Sequence, residues 1–79
     1  MKRQNAVVGT RVVVKASYYF NLALIAKLGT VVYDDGLGGS LLIQFDDTFA
    51  DGHDGNTHKF KGINGKCWWI LPKYLKKLK

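Results

Sequence analysis

Four side chains in the second half of the chain are of types that could do chemistry: His53, Asp54, His58 and Cys67. Imidazole, carboxylate and thiolate all suit zinc, yet the spacing fits no standard finger and there is no second cysteine. The loop Asp51-Gly52-His53-Asp54-Gly55-Asn56 looks superficially like a calcium loop, but it lacks the alternating acidic ligands and closing glutamate of an EF-hand. Cys67 could be paired with His53 or His58 as base and Asp54 as orienter. No nucleophile context surrounds it, however, and a thiol directly before two tryptophans would be hard for a substrate to reach. No glycine pattern followed by Lys and Ser or Thr is present to cradle a phosphate. The residues therefore predict a non-enzyme with no metal and no cofactor. Cys67 reads as a small buried hydrophobe, and His53 as a residue that fastens a glycine-rich loop by hydrogen bonds to backbone carbonyls.

Charge and aromatics carry the stronger signal. The net charge is +6, and its distribution is segregated. All six acidic residues (Asp34, Asp35, Asp46, Asp47, Asp51, Asp54) fall between Leu28 and His58, where there is no Lys or Arg. All twelve basic residues fall outside that segment. A basic face of this kind attracts phosphate backbones or acidic protein surfaces. Lys59, Lys61 and Lys66 precede Trp68, and Lys73, Lys76, Lys77 and Lys79 follow it. Lysines neutralise phosphates while an exposed aromatic stacks on a base. Arg11, Lys15, Lys59, Lys61, Lys66, Trp68, Lys73, Lys76 and Lys77 are accordingly the expected contacts to nucleic acid or to a nucleic-acid-handling complex. With Arg3 and Arg11 the only arginines, little bidentate recognition is available, so sequence preference should be weak. The alternative is a protein-interaction module in which Tyr18, Tyr19, Phe20 and Leu24 dock on a host protein or on a second copy. Against that stands the commoner fate of large apolar side chains, burial as a lid over the core. Neither a membrane nor a small-molecule substrate is expected as partner.

The elements that must position these residues are short. Seventy-nine residues make one domain over 1–79, at a size where a single core is barely sufficient. Four Phe, four Tyr and two Trp help such a chain bury apolar area. One cysteine excludes an internal disulfide, and Lys2-Arg3 is not followed by an apolar leader segment. Apolar runs such as 22–26 fall far short of the ~20 residues that span a bilayer. A cytoplasmic protein is expected.

Beta-branched residues predict a first strand over 6–16, with a bend at Gly9-Thr10. Residues 17–28 read as a long loop holding a short helical turn, capped by Ser17 and stopped by Gly29. Strands over 29–34 and 40–45 flank the glycine-rich turn 35–39 as a hairpin. A long irregular connection over 46–66 then leads to a strand over 67–71. Pro72 ends that strand, a 3-10 turn covers 72–75, and a closing strand covers 76–78. On the fourth strand the side chains alternate, so the adjacent tryptophans cannot both fill one core. Only one is expected to be buried, Trp69 because Cys67 and Leu71 share its face, with the other covered by a loop, a terminal segment or a partner.

Two resemblances follow from particular residues. Lys27-Leu28-Gly29-Thr30-Val31-Val32 resembles the Gly-x-Val core of KOW-type barrels, and Val8-Gly9-Thr10-Arg11-Val12-Val13-Val14 resembles their opening strand. With the order of elements over 7–78, this implies a mainly β chain folded as an SH3-like five-stranded small barrel. KOW-type relatives often bind RNA or ribosomal and transcription partners, and other SH3-like barrels bind peptides. Gly52-His53-Asp54-Gly55-Asn56, followed by Gly62, Gly65-Lys66-Cys67-Trp68-Trp69 and the Pro72-to-Leu75 ending, resembles small proteins of phages and their bacterial hosts. That likeness implies a phage accessory protein acting in the host cytoplasm, and no activity comes with it.

Overall fold

The computed structural model describes residues 1–78. Five strands, β1 (Arg11–Val14), β2 (Leu28–Tyr33), β3 (Leu41–Phe45), β4 (Cys67–Ile70) and β5 (Leu75–Lys77), form one antiparallel sheet in the order β4-β3-β2-β1-β5. Short 3-10 turns cover Arg3–Asn5, Leu22–Leu24 and Pro72–Tyr74. The chain is mainly β, as its sequence predicts. No helix among the described residues is long and apolar enough to cross a membrane.

Side-chain alternation builds the core. Val12 and Val14 of β1 point inward while Arg11 is exposed. Val31, Ile43, Ile70 and Leu75 add one inward residue from each other strand, and all are at most 1% exposed. Burying side chains of this size contributes about 1.5–3 kcal/mol each. The two ends of the ladder, β4 and β5, are separated in sequence only by Leu71 and the 3-10 turn. So short a link holds the edge strands near each other, and the sheet must roll rather than lie flat. At Gly29 β2 and β3 approach closely. A Cβ there would lie 2.7 Å from Ile43 Cγ2 and 2.9 Å from the Gln44 carbonyl, so any side chain would force β3 away.

Several boundaries differ from expectation for identifiable reasons. The first strand begins at Arg11, because Gly9 takes φ +97° and the Thr10 N–H closes a turn on the Val7 carbonyl. Val7 and Val8 are thereby left exposed. The helical turn is capped by Asn21 and not by Ser17; Asn21 Oδ1 accepts the Ala23 N–H at 3.2 Å. It ends at Leu24 with Ile25 as its C-cap, Ala26 just beyond takes φ +65°, and Gly29 is used inside β2. In the hairpin turn, Asp34 and Asp35 each accept a backbone N–H two residues ahead, at 2.9 Å. The closing strand starts one residue early, at Leu75, and pairs with β1 in the register Val12↔Lys77, Val13↔Lys76, Val14↔Leu75.

Candidate functional site

The loop that carries His53 and Asp54 is a lid over Cys67. His53 forms an antiparallel bridge with Cys67, extending the edge of β4 by one residue. Its Nδ1 accepts the Gly55 N–H at 2.8 Å, a backbone amide where a carbonyl partner was expected. The Gly55 carbonyl in turn accepts the Trp69 indole N–H at 2.8 Å. Gly55 (φ +113°) lies so close to the sheet that a Cβ would come within 2.8 Å of Leu42 Cδ2. Gly62 packs equally tightly, its notional Cβ 2.6 Å from Cys67 Sγ. The part of the connection around Gly55 and Gly62 thus lies against the outer face of β3 and β4, while Phe49, earlier in it, packs against the core. Cys67 is fully buried beneath it, and burial, reinforced by the charge of Asp54, pushes its thiol pKa up. A thiol so placed is a poor nucleophile. His58 is exposed in the same loop. Among the described residues no three His, Cys, Asp or Glu side chains converge on a point that could hold a metal ion.

The tryptophans divide the two faces between them, and the expectation that only one is buried does not hold. Both are half-buried, because β4 is an edge strand covered on each side. Trp68 turns toward the core beside Phe49 and donates its indole N–H to the Tyr18 hydroxyl at 2.9 Å. Trp69 shares the face of Cys67, but beneath the loop, edge-on to Tyr33. Leu71, expected to be buried with it, is 38% exposed. The residue proposed as the outward base-stacking platform, Trp68, is therefore the one that packs on the core.

The basic residues fall into separate groups. Arg11 makes a bidentate pair with Asp46, 2.7 Å to each oxygen, and also reaches Thr30 Oγ1 at 3.0 Å. Hydrogen bonding to Arg11 lowers the Asp46 pKa, and the nearby Lys66 adds to the effect. Arg3 pairs with Asp34 at 2.9 Å. Both arginines are thus engaged by carboxylates of the acidic middle segment. Lys15, Lys73, Lys76 and Lys77 are exposed and have no carboxylate partner among the described residues. They lie at the end of β1, in the Pro72–Tyr74 turn and on β5. Lys59, Lys61 and Lys66 belong instead to the loop over β3 and β4. Lys79 lies outside the described residues.

Of the proposed protein-docking residues, Tyr18 and Leu24 are core, at 3% and 0% exposure. Burial raises the Tyr18 pKa, against the opposing effect of its bond to Trp68. Tyr19 and Phe20 are 68% and 62% exposed, and their rings stack at 4.5 Å with 25° between planes. Phe20 also meets Tyr74 edge-on at 5.9 Å. A shallow cleft of about 300 Å³ runs beneath, lined by Tyr18, Phe20, Ser40, Trp69, Leu71 and Tyr74. Sequence reasoning missed Tyr74; its one visible signal was a place in the turn that closes the sheet, beside Lys73. The Lys73 ammonium sits 5.1 Å from the Tyr74 ring centroid. Comparison with known proteins finds no matching family model, no matching curated protein and no matching solved structure.

Proposed function

We propose that the chain is a small non-catalytic module that binds nucleic acid, or a complex that handles it, through Lys15 just after β1, Lys76 and Lys77 of β5 and Lys73 in the turn before β5. The observation that carries this reading is the β1–β5 pairing. It sets Lys76 and Lys77 opposite Val13 and Val12, so the cationic first and last segments of the sequence become neighbours. The arginines are tied to aspartates, so the available charges are lysine point charges that suit phosphates and not base edges. The strand order and the 3-10 turn between β4 and β5 accord with an SH3-like barrel. The likeness of residues 52–75 to phage proteins supports an accessory role in a host cytoplasm.

The test is a titration of labelled single- and double-stranded DNA and RNA at several salt concentrations. Log affinity should fall linearly with log salt, because each neutralised phosphate releases counterions. Replacing Lys73, Lys76 and Lys77 together by Gln should weaken all sequences alike and make the slope shallower by up to about 2 on single strands and about 3 on duplex. No binding at low salt, where a +6 protein binds most readily, would remove this reading. The second reading, docking on a protein, is favoured by the exposure of Tyr19, Phe20 and Leu22, and would show no salt slope of this kind.

A further inference from the structure

We infer that Tyr19, Phe20 and Tyr74, with Lys73 at their rim, form a stacking ledge for the bases of single-stranded nucleic acid. This rests on the nucleic-acid reading above and adds the strand state of the ligand and the groups that take its bases.

The ledge is anchored from below. Tyr18, the first aromatic of the triplet, is buried in the core and holds the Trp68 indole N–H at 2.9 Å. One residue past Phe20, Asn21 caps the next turn through its side chain. Tyr19 and Phe20 are thus presented on fixed backbone. Burial of rings this size is favourable, yet both remain about two-thirds exposed. The two rings stack on each other at 4.5 Å and keep about two-thirds of their surface exposed, apolar ring area that a base accepts irrespective of its identity.

Charge selects the occupant. The segments 1–33 and 55–79, which supply Tyr19, Phe20, Tyr74 and Lys73, contain no Asp or Glu. The cleft beneath is lined by aromatic, aliphatic and hydroxyl groups with no carboxylate. Lys73 stands over Tyr74, and Lys15, Lys76 and Lys77 lie on or next to the paired strands leading from the ledge. A strand whose bases rest on the rings would therefore place its phosphates near the ammonium groups of Lys73 and of the lysines on and beside β5. A purely apolar peptide would gain nothing from that collar. A duplex keeps its base faces stacked internally and cannot use the ledge, so single strands are the ligand.

The test uses the full chain with fluorescent oligo-dT and oligo-U of about 12 nucleotides, a duplex of equal length, and a proline-rich peptide. Three variants accompany the wild type: Tyr19→Ala/Phe20→Ala, Tyr19→Trp/Phe20→Trp, and the triple lysine variant. Both ledge positions are exposed, so unchanged melting confirms that each variant is folded. The single strands should bind more tightly than the duplex. The double alanine variant should lose about 10- to 100-fold in affinity with the salt slope intact, and the double tryptophan variant should retain binding. Equal binding of single and double strands, undisturbed by the alanines but reduced by the lysine variant, overturns the ledge and leaves the basic-surface reading intact. No binding of any nucleic acid removes both. Peptide binding lost in the double alanine variant, with no oligonucleotide bound, assigns the ledge to a protein partner and overturns the inference.

Discussion

Two hydrogen bonds meet at Gly55: its N–H donates to His53 Nδ1, and its carbonyl accepts from the Trp69 indole, each at 2.8 Å. The histidine therefore acts through a lone pair and requires the tautomer with its proton on Nε2. An asparagine can offer an acceptor oxygen to the N–H two residues ahead in much the same geometry, as Asp34, Asp35 and Asp54 already do in this chain. His53→Asn should therefore stay within about 0.5–1 kcal/mol of the parent in urea unfolding, apart from the lost ring contact with Trp68. His53→Leu, which leaves a part-buried amide unpaired, should cost about 1–3 kcal/mol. Equal losses in the two variants would mean that the lone pair is immaterial and that the ring's packing alone matters. Cys67 is sealed under Gly62 and kept protonated by burial.

The strand β4 and the connection that folds over it are one unit. Loop glycines approach within contact distance of the strand, and the two tryptophans look in opposite directions from the same edge. Trp68→Ala opens space beside Phe49 and orphans the Tyr18 hydroxyl, while Trp69→Ala removes the indole that holds the Gly55 carbonyl. Each should cost about 2–4 kcal/mol, a little under the range for fully buried tryptophan. Melting temperatures that fall for only one of the two would show that one face of the strand is dispensable. Much at this scale was legible in the sequence. Asp35-Gly36 marks the hairpin turn, Pro72 sets the first position of a 3-10 turn, and β-branched residues mark the strands. The burial of the tryptophans was not, because period-2 alternation reports which side chains share a face and is silent on what covers that face. Trp69 is covered by Gly55, 14 positions away in a loop with no periodicity, and Trp68 by Tyr18, 50 positions away. The same limit hid the ledge. Tyr18, Tyr19 and Phe20 are chemically alike in sequence, and only a contact 50 residues distant separates the buried one from the exposed pair.

The molecule as a whole ties its basic ends to its acidic middle at two points, Arg3–Asp34 and Arg11–Asp46. Exposed pairs of this sort add little to stability, but they consume the arginines and leave lysine as the cation that faces outward. The pairing of β1 with β5 has a further consequence, in time and not in space. β1 lies between β2 and β5, and its partner on one side is the last strand to be synthesised. A chain emerging from the ribosome therefore carries a half-paired β1 until Leu75–Lys77 have cleared the exit tunnel, and the inward face of Leu75 is missing from the core until then. Contacts that span the chain in this way close late and slowly, on a millisecond-to-second scale. A version ending after Ile70 should accordingly lack near-ultraviolet circular dichroism, and adding back residues 71–78 as a separate peptide should restore it. A truncated chain with the full signal would show that the first four strands mature on their own, during translation. If it lacks the signal, the first four strands take up their packing only once β5 is available to pair with β1, and until then each nascent copy depends on not meeting another.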